Sequence, residues 1–251
     1  MSYERIAVVT GASSGIGTAT ARELARQGFH PVITARRRER LDVLAAQIGG
    51  TAFTFDVRDP AAIEDFAVWL RDKFGRVDVL VNNAGLALGR EKLDVSIDAD
   101  WVQMLETNVL GVARMTRALL PLLRAAPSAH IVNIGSTAGI EVYPGGAGYT
   151  SSKHALRAIT QTLRLELNGE PIRVTEVEPG MTKTEFSITR FKGDAEKAGD
   201  VYAGVTPLSA DDIAEAIGFA VSRPPHVNVD FVVIRPVAQA AAYQVSRTMN
   251  V

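Results

Sequence analysis

Short apolar runs alternate with longer amphipathic stretches along the whole chain. The apolar runs are rich in β-branched residues and almost uninterrupted, as is typical of strands buried on both faces of a parallel sheet. They predict strands at residues 5–10, 31–35, 51–57, 77–83, 130–135, 172–179 and 229–234. The stretches between them have apolar residues at helical spacing, which predicts helices at residues 15–28, 39–48, 60–74, 101–123, 149–167 and 210–221.

This alternation predicts an α/β fold, doubly wound, with helices on both faces of a parallel sheet. No linker rich in Pro, Gly or Ser divides the chain, so we expect residues 1–251 to form a single domain. The one long stretch of weak periodicity covers residues 181–207. A loop of that length is often a lid or a binding segment, and we expect it to lie over a substrate.

The amino-acid composition limits the kinds of molecule that the protein is expected to bind. The 251 residues carry a formal net charge of −1, which gives no indication of a nucleic acid or an anionic membrane. No apolar run approaches the ~20 residues of a membrane span, and MSYERIAVVT does not look like a signal peptide. The absence of cysteine excludes disulfides and thiolate metal sites. We therefore expect a soluble, cytoplasmic protein with no nucleic-acid or membrane partner.

A glycine-rich turn, TGASSGIG (Thr10 to Gly17), connects the first strand to the first helix. Its glycines permit a tight turn and a close approach of phosphate, and the helix terminus attracts an anion. The spacing G-x-x-x-G-x-G differs from the common dinucleotide fingerprint, so a turn that needs glycine for geometry alone is the alternative. Its place at the carboxyl end of a strand favours nucleotide binding.

Two arginines, Arg36 and Arg37, follow the second strand where an acid would suit a free ribose 2′-hydroxyl. Guanidinium groups can hold a 2′-phosphate bidentately, which predicts NADP(H) rather than NAD(H). The alternative is a solvated basic start of a helix. An unfavourable contact counts against this alternative, because the arginine side chains would lie at the positive end of the helix dipole.

Six motifs follow one another in family-like order and spacing: TGASSGIG, NNAG at residues 82–85, Asn108, Ser136, Tyr149-x-x-x-Lys153, and Pro179-Gly180. On these motifs, nearly the whole chain resembles the short-chain dehydrogenase/reductases. The resemblance implies a single Rossmann-type domain with a seven-stranded parallel sheet. It also implies a homo-oligomer, a dimer or a tetramer, built through the helices at 101–123 and 149–167. Residues 173–193 resemble a subgroup of NADP-dependent 3-hydroxy acid, serine and related carbonyl dehydrogenases.

Tyr149 and Lys153 are helical neighbours at positions i and i+4. An ordinary tyrosine has a pKa of ~10, and we expect the nearby ammonium to lower that pKa. The resemblance implies that Tyr149 is the general acid in carbonyl reduction and the base in alcohol oxidation. It also implies that Lys153 holds the nicotinamide ribose and joins a proton relay. A solvated surface pair is the alternative.

The resemblance gives two further residues catalytic roles. Ser136 would donate to the substrate oxygen, whereas a serine that satisfies backbone groups at a strand end is the alternative. Asn108 would kink its helix and bind a water linked to Lys153, whereas a helix cap is the alternative. Gly135 stands where many relatives have a second serine, and we expect no effect on the chemistry.

Cofactor contacts are expected at the turns that follow the strands. The glycine turn would hold the phosphates, Asp56 and Val57 would border the adenine, and the segment after the fourth strand would pass along the adenosine ribose. The segment after the sixth strand would lie by the nicotinamide. The full set is Gly11, Ser13, Ser14, Gly15, Ile16, Gly17, Arg36, Arg37, Asp56, Val57, Asn83, Ala84, Gly85, Tyr149, Lys153, Pro179, Gly180, Met181 and Thr184.

Residues 86–92, 137–148 and 181–205 are expected to line the substrate. The cations that could bind a substrate carboxylate are Arg90, Lys92, Lys183, Arg190 and Lys192, each with a solvated surface charge as the alternative. Arg190 is the first choice because the resembling subgroup handles hydroxy acids.

Other chemistries find little support in the sequence. No His-x-x-x-His motif or carboxylate cluster indicates a metal, so His154 and His226 are interpreted as structural and no metal site is expected. A Ser-His-Asp hydrolase is disfavoured because G-x-S-x-G is absent.

The leading hypothesis is an NADP(H)-dependent oxidoreductase that interconverts a carbonyl and a primary or secondary alcohol. Hydride transfer would be coupled to proton transfer by Tyr149, on a small 3-hydroxy acid or a related ketone or aldehyde. Two alternatives remain open: a dinucleotide-binding regulator without turnover, and a redox-neutral epimerase or dehydratase with a tightly held cofactor.

Overall fold

Seven strands form one fully parallel sheet in the computed structural model, which describes residues 5–248. The order across the sheet is β3-β2-β1-β4-β5-β6-β7. The strands are β1 (Ile6–Thr10), β2 (His30–Ala35), β3 (Thr51–Thr54), β4 (Val79–Asn82), β5 (Ala129–Ile134), β6 (Ile172–Pro179) and β7 (Phe231–Ile234). The predicted doubly wound, seven-stranded parallel sheet is therefore confirmed. Residues 1–4 and 249–251 of the expected domain lie outside the described residues.

Helices cover both faces of this sheet. They are α1 (Gly15–Arg26), α2 (Arg38–Ile48), α3 (Pro60–Phe74), α4 (Asp98–Leu105), α5 (Gly111–Arg124), α6 (Ala147–Glu166), α7 (Phe186–Arg190), α8 (Ala195–Asp200) and α9 (Ala210–Val221). Within residues 5–248, none of them is both long and apolar enough to cross a membrane.

The core consists of two layers because successive strand residues point to opposite faces of the sheet. All five residues of β1 are buried. Ile6 and Val8 pack with α3 and α5 on one face, whereas Ala7 and Val9 pack with α1, α2 and α9 on the other. Burial on both faces explains why the strands lack polar alternation.

The strand order reverses between β1 and β4. These strands lie side by side, with Ala7 opposite Val79, although α1 to α3 separate them along the chain. The connections after β1 and β4 therefore leave in opposite directions, and a crevice opens at their carboxyl ends. This reversal sets the glycine turn beside residues 83–85.

The predicted helix at 101–123 differs most from the structure. It begins at Asp98, and a π-helical turn from Glu106 to Leu110 interrupts it before α5. The expected break in the helix thus takes the form of a π-turn, a feature that is frequent at functional sites. Asn108 lies in the middle of this turn and does not cap a helix.

Two other segments depart from prediction. The third strand ends at Thr54 rather than residue 57, because β3 is an edge strand whose pairing with β2 stops at Ala35. The weakly periodic segment 181–207 contains the short helices α7 and α8. Helices of five and six residues are too short to produce a readable apolar period.

Candidate active site

A cavity of about 520 Å³ opens at the carboxyl ends of the strands. Its wall includes the turns that follow β1, β2, β4, β5 and β6. Of the described residues predicted for catalysis and cofactor binding, together with Arg190, all but Gly17 and Asn108 line it. They are Gly11, Ser13, Ser14, Gly15, Ile16, Arg36, Arg37, Asp56, Val57, Asn83, Ala84, Gly85, Ser136, Tyr149, Lys153, Pro179, Gly180, Met181, Thr184 and Arg190.

The glycine turn lies tightly against the segment that follows β4. Gly11 has a φ of +67°, and a Cβ there would lie 2.8 Å from the Cα of Ala84. Gly17 faces inward, where a Cβ would lie 2.6 Å from the Gly11 carbonyl oxygen and would also collide with Asn83. Gly17 therefore provides close packing of the turn and does not line the cavity.

Arg37 lies at the edge of the cavity, where several polar groups meet. Its guanidinium donates to the hydroxyls of Ser13 (3.0 Å) and Ser14 (2.7 Å). It also donates to the Glu185 carboxylate (2.7 Å), which accepts a second bond from Arg40 (2.7 Å). These hydrogen bonds from Arg37 and Arg40 lower the pKa of the Glu185 carboxyl. Sequence reasoning missed Glu185, because no local pattern links residues this far apart.

Arg36 and Asp56 lie close together on the wall of the cavity. The Arg36 guanidinium is 4.0 Å from the Asp56 carboxylate, and its side chain is 61% exposed. The Asp56 carboxylate also accepts hydrogen bonds from two nitrogens of the Arg58 guanidinium, Nε (3.1 Å) and Nη2 (2.7 Å). Burial would raise the pKa of the Asp56 carboxyl, but hydrogen bonds from Arg58 and the charge of Arg36 give it a lowered pKa.

Tyr149 lies in the first turn of α6 and is buried. Phe186 packs edge-on against its ring, and the nearby Ser136 hydroxyl, which accepts from the Ala138 N–H (3.1 Å), favours the ionised form of the phenol. Burial raises the pKa of the phenol above its ordinary value, and the opposing effects of Ser136 and Arg190 are smaller. The expectation of a lowered pKa is therefore wrong, because desolvation of a phenolate outweighs the neighbouring donors and charges.

Lys153 lies one turn further along α6, and its side chain is also buried. Its Nζ donates to the Ile134 carbonyl oxygen (2.7 Å) and lies 5.9 Å from the centre of the Tyr149 ring. Burial lowers the pKa of the Lys153 ammonium to about 8, although the carboxyl groups of Glu178 and Glu176 act in the opposite direction. The alternative of a solvated surface pair is excluded because both side chains are buried.

Asn108 is fully buried behind the cavity wall. Its Oδ1 accepts from the Leu86 N–H (2.9 Å), and its Nδ2 donates to the Leu86 carbonyl (2.8 Å) and the Ser152 hydroxyl (3.0 Å). A Cβ added at Gly85 would lie 3.2 Å from Asn108 Oδ1 and 3.6 Å from Lys153 Nζ. Asn108 thus ties the segment after β4 to α6, close to the lysine.

Arg190 is the cation nearest to the Tyr149 ring among those expected on the substrate side. Its Cζ lies 5.7 Å from the ring centre, and its guanidinium donates to the Gly89 carbonyl (3.1 Å) and the Tyr143 hydroxyl (2.9 Å). Arg90 also lines the cavity. Of the other described candidates, Lys92, Lys183 and Lys192 do not line it, and Lys192 pairs with Asp100 (2.8 Å).

A segment near the end of the described chain also lines the cavity, and sequence reasoning missed it. Its lining residues are Gln239, Ala242, Tyr243, Val245 and Arg247. The Gln239 amide oxygen accepts from the Met181 N–H (2.7 Å), and Glu141 accepts from the Ala242 N–H. The segment follows the last strand and has no helical or strand period, so no sequence pattern marks it.

His154 and His226 lie away from this cavity. The His154 Nδ1 is 2.8 Å from the Thr150 carbonyl oxygen of its own helix. His226 is exposed between α9 and β7. Across residues 5–248, His, Asp and Glu side chains form no group of three that could hold a metal ion.

The profile of the family described as short chain dehydrogenase matches residues 5–195, and the chain belongs to this family. The resemblance inferred from the motifs is therefore confirmed.

Two related proteins and one solved structure are similar to this chain over nearly its whole length. An uncharacterized oxidoreductase of Mycobacterium tuberculosis is 58% identical over 242 residues, which cover 95% of this chain and 94% of that protein. The NADP-dependent 3-hydroxy acid dehydrogenase of Salmonella typhi is 44% identical over 240 residues, covering 94% and 97%. The closed form of a serine dehydrogenase complexed with NADP⁺ has a TM-score of 0.91 and 40% identity, covering 98% of each chain.

Proposed function

We propose that this protein is an NADP(H)-dependent oxidoreductase that interconverts a carbonyl and an alcohol. The observation that carries the proposal is a single cavity that joins Ser136, Tyr149 and Lys153 to Arg36 and Arg37. The NADP-dependent activity of the Salmonella relative and the NADP⁺ in the serine dehydrogenase structure support it.

The cavity fits a dinucleotide phosphate. Its volume lies within the range of ligand sites in proteins. Because Gly11 has no side chain, the turn also keeps a space that a Cβ would fill. The Ser14 hydroxyl accepts from Arg37 and does not cap α1, so the first N–H groups of that helix can receive a phosphate. Arg36 and Arg37 would hold the 2′-phosphate.

The remaining contacts follow the order of the turns along the sheet edge. Asp56 and Val57 would border the adenine, and Asn83, Ala84 and Gly85 the adenosine ribose. The nicotinamide end would contact Tyr149, Lys153 and the turn after β6. In that turn the predicted residues are Pro179, Gly180, Met181 and Thr184.

When bound, NADPH supplies the hydride. Tyr149 supplies the proton to the substrate oxygen, and the Ser136 hydroxyl donates to the same oxygen. Because the pKa of Tyr149 is raised, its phenol carries its proton at neutral pH and is ready for reduction. The Lys153 ammonium stabilises the phenolate that develops.

The two alternatives left open by the sequence are not favoured. A regulator without turnover has no need of a buried proton donor beside a buried lysine. A redox-neutral enzyme is disfavoured because the named relatives are dehydrogenases. The deciding test is NADPH or NADH oxidation against aldehydes, ketones and 3-oxo acids, with Tyr149→Phe alongside. Tight NADPH binding without turnover on any of these substrates would overturn the proposal.

We propose a small 3-hydroxy acid or a related carbonyl compound as the substrate. Arg190 places a guanidinium over the Tyr149 ring, where it can bind a carboxylate beside the reacting carbon. Arg190→Met should raise KM for a 3-hydroxy acid far more than KM for the matched neutral alcohol. Lys192→Met is the control, because Lys192 pairs with Asp100 and does not line the cavity.

We also propose that the chain acts as one domain in a homo-oligomer. Apolar side chains of Val102, Leu105 and Leu110 are exposed along the stretch from α4 to the π-turn, which fits a contact between subunits. Light scattering in solution would distinguish a monomer from a dimer or a tetramer. The cytoplasmic location remains a prediction that cell fractionation would test.

A further inference from the structure

Two glutamates on β6 are buried beneath the catalytic residues. Glu176 and Glu178 are only 1% and 0% exposed, although neither lines the cavity. They alternate with Val177, which packs on the opposite face of the sheet. Residues two apart in a strand share a face, so both carboxyl groups point the same way. Buried carboxyl groups are costly unless they find partners.

Glu178 is anchored against the turn that carries Ser136. Its carboxylate accepts a hydrogen bond from the Ser136 N–H. A Cβ at Gly135 would lie 2.6 Å from this carboxyl group, and one at Gly139 would lie 3.2 Å from it. Gly135 therefore makes room for Glu178, which gives a physical role to a glycine expected to be without consequence.

Lys153 and Glu178 hold the same short stretch of backbone from two sides. The Lys153 Nζ donates to the Ile134 carbonyl oxygen, two residues before the N–H that binds Glu178. The Cβ position at Gly139 lies 3.1 Å from the Lys153 carbonyl oxygen as well as beside the Glu178 carboxyl group. The Glu178 carboxyl group is thus fixed against the same backbone stretch that binds the Lys153 ammonium.

The two buried carboxyl groups affect each other's ionisation. Oε1 of Glu176 and Oε1 of Glu178 have no hydrogen-bond partner among the described residues. Burial raises the pKa of each carboxyl group, and for Glu178 the nearby Glu176 raises it further. When ionised, both carboxyl groups favour the charged form of Lys153, Glu178 more than Glu176.

We propose that Glu178 is a positioning residue that acts through Lys153: anchored against the Ser136 turn, its carboxyl group keeps the catalytic ammonium charged. No hydrogen bond from Glu178 to Tyr149 is needed for this role. The inference rests on the proposed reductase only for its kinetic readout.

Several other charged or titratable groups lie close to Lys153, Glu178 or Glu176 and also affect the ionisation of these residues. They are Tyr149, Arg157 and Arg164 on α6 and Glu176 on β6, with Tyr143 and Arg190 facing Tyr149 from the cavity. Arg157 also packs over the Phe231 ring on β7. Substituting Glu178 alone leaves these side chains in place, although it changes the electrostatic surroundings of Glu176 and Tyr149.

The decisive variant is Glu178→Gln, which keeps an oxygen acceptor for the Ser136 N–H and removes the ionisable group. The carboxylate favours the ammonium form, so its loss lowers the pKa of Lys153. The alkaline decline of kcat/KM for carbonyl reduction should then move to lower pH, by up to about one pH unit. A purely structural role would lower kcat/KM at every pH and leave that midpoint in place.

Glu176→Gln is the matched control on the same strand face. It leaves Glu178 free to ionise. The alkaline midpoint of Glu176→Gln should therefore differ less from that of the unmodified enzyme than the midpoint of Glu178→Gln does. The double variant E176Q/E178Q removes both charges and should shift the midpoint furthest. Paired neutral replacements of buried charges are often tolerated, so this variant provides the test if Glu178→Gln alone does not fold.

NMR titration of Lys153 with ¹³C-labelled lysine gives a readout that does not depend on turnover. A lower pKa of Lys153 in Glu178→Gln would support the inference even if no carbonyl compound were reduced. An unchanged pKa and an unchanged kinetic midpoint in the folded E178Q and double variants would overturn it. An enzyme without turnover whose Lys153 pKa still responds would overturn the proposed function alone.

Discussion

Arg37 offers a quantitative test of how the cofactor is chosen. Arg37→Ala removes the guanidinium that we expect to bind the 2′-phosphate and that donates to Ser13 and Ser14. Hydrogen bonds to a charged group contribute about 1.5–3 kcal/mol each. Because the Arg37 side chain is 43% exposed, solvent screening favours the lower part of that range. A loss of about 2 kcal/mol corresponds to roughly 30-fold weaker NADPH binding.

The assay is fluorescence titration of NADPH and NADH against the same preparations. Arg37→Ala should weaken NADPH binding much more than NADH binding, because only NADPH carries the 2′-phosphate. Arg38→Ala is the matched control, since Arg38 is more exposed, pairs with Asp42, and does not line the cavity. Equal weakening of both cofactors by Arg37→Ala would show that Arg37 supports the turn and does not select the phosphate.

Four further expectations follow. Glu185→Gln removes a carboxylate that competes for Arg37, so NADPH should bind about two- to fivefold more tightly in the same titration. Tyr149→Phe should lower kcat for reduction by about 10²- to 10⁴-fold, with NADPH affinity nearly unchanged. Alcohol oxidation, measured as NADP⁺ reduction, should accelerate with rising pH because the raised pKa of Tyr149 keeps its base form scarce at neutrality. Gly17→Ala should cost about 1–3 kcal/mol, seen as a lower Tm, since its Cβ would meet the Gly11 carbonyl.

Each expectation has an opposing outcome. Weaker NADPH binding in Glu185→Gln would mean that Glu185 orients Arg37 for the phosphate. Full reduction by Tyr149→Phe would remove Tyr149 from the chemistry, and oxidation that is flat between neutral and alkaline pH would refute the pKa argument. Gly199→Ala in α8 is the control for Gly17→Ala, because its Cβ meets no described atom within 4 Å. Equal Tm changes in both variants would contradict the packing argument.

The sequence was informative wherever function depends on neighbours along the chain. The spacing of Tyr149 and Lys153 puts both side chains on one side of α6, and the glycine turn needs only a strand and a helix around it. The strand pattern then predicts that turns far apart in sequence meet at one edge of the sheet. Because these turns do meet at that edge, most of the predicted residues line a single cavity.

Features that depend on tertiary contact were not predictable in the same way. Glu178 lies in a strand whose residues are nearly all buried, and its role depends on the space left by Gly135. Glu185 pairs with arginines nearly 150 residues away. The raised pKa of Tyr149 also follows from burial, which the helical spacing of Tyr149 and Lys153 does not reveal.

The cavity wall formed by Gln239 to Arg247 has a consequence for how the protein is made. Translation proceeds from the N-terminus, so β7 and this wall leave the ribosome after every other described element. Until β7 pairs with β6, the strand that carries Glu176 and Glu178 is an exposed sheet edge, which can pair with other chains. A nascent chain can therefore fold around the glycine turn and Tyr149 while the β6 edge is still open. Chaperone protection would matter most in that interval, before β7 pairs with β6.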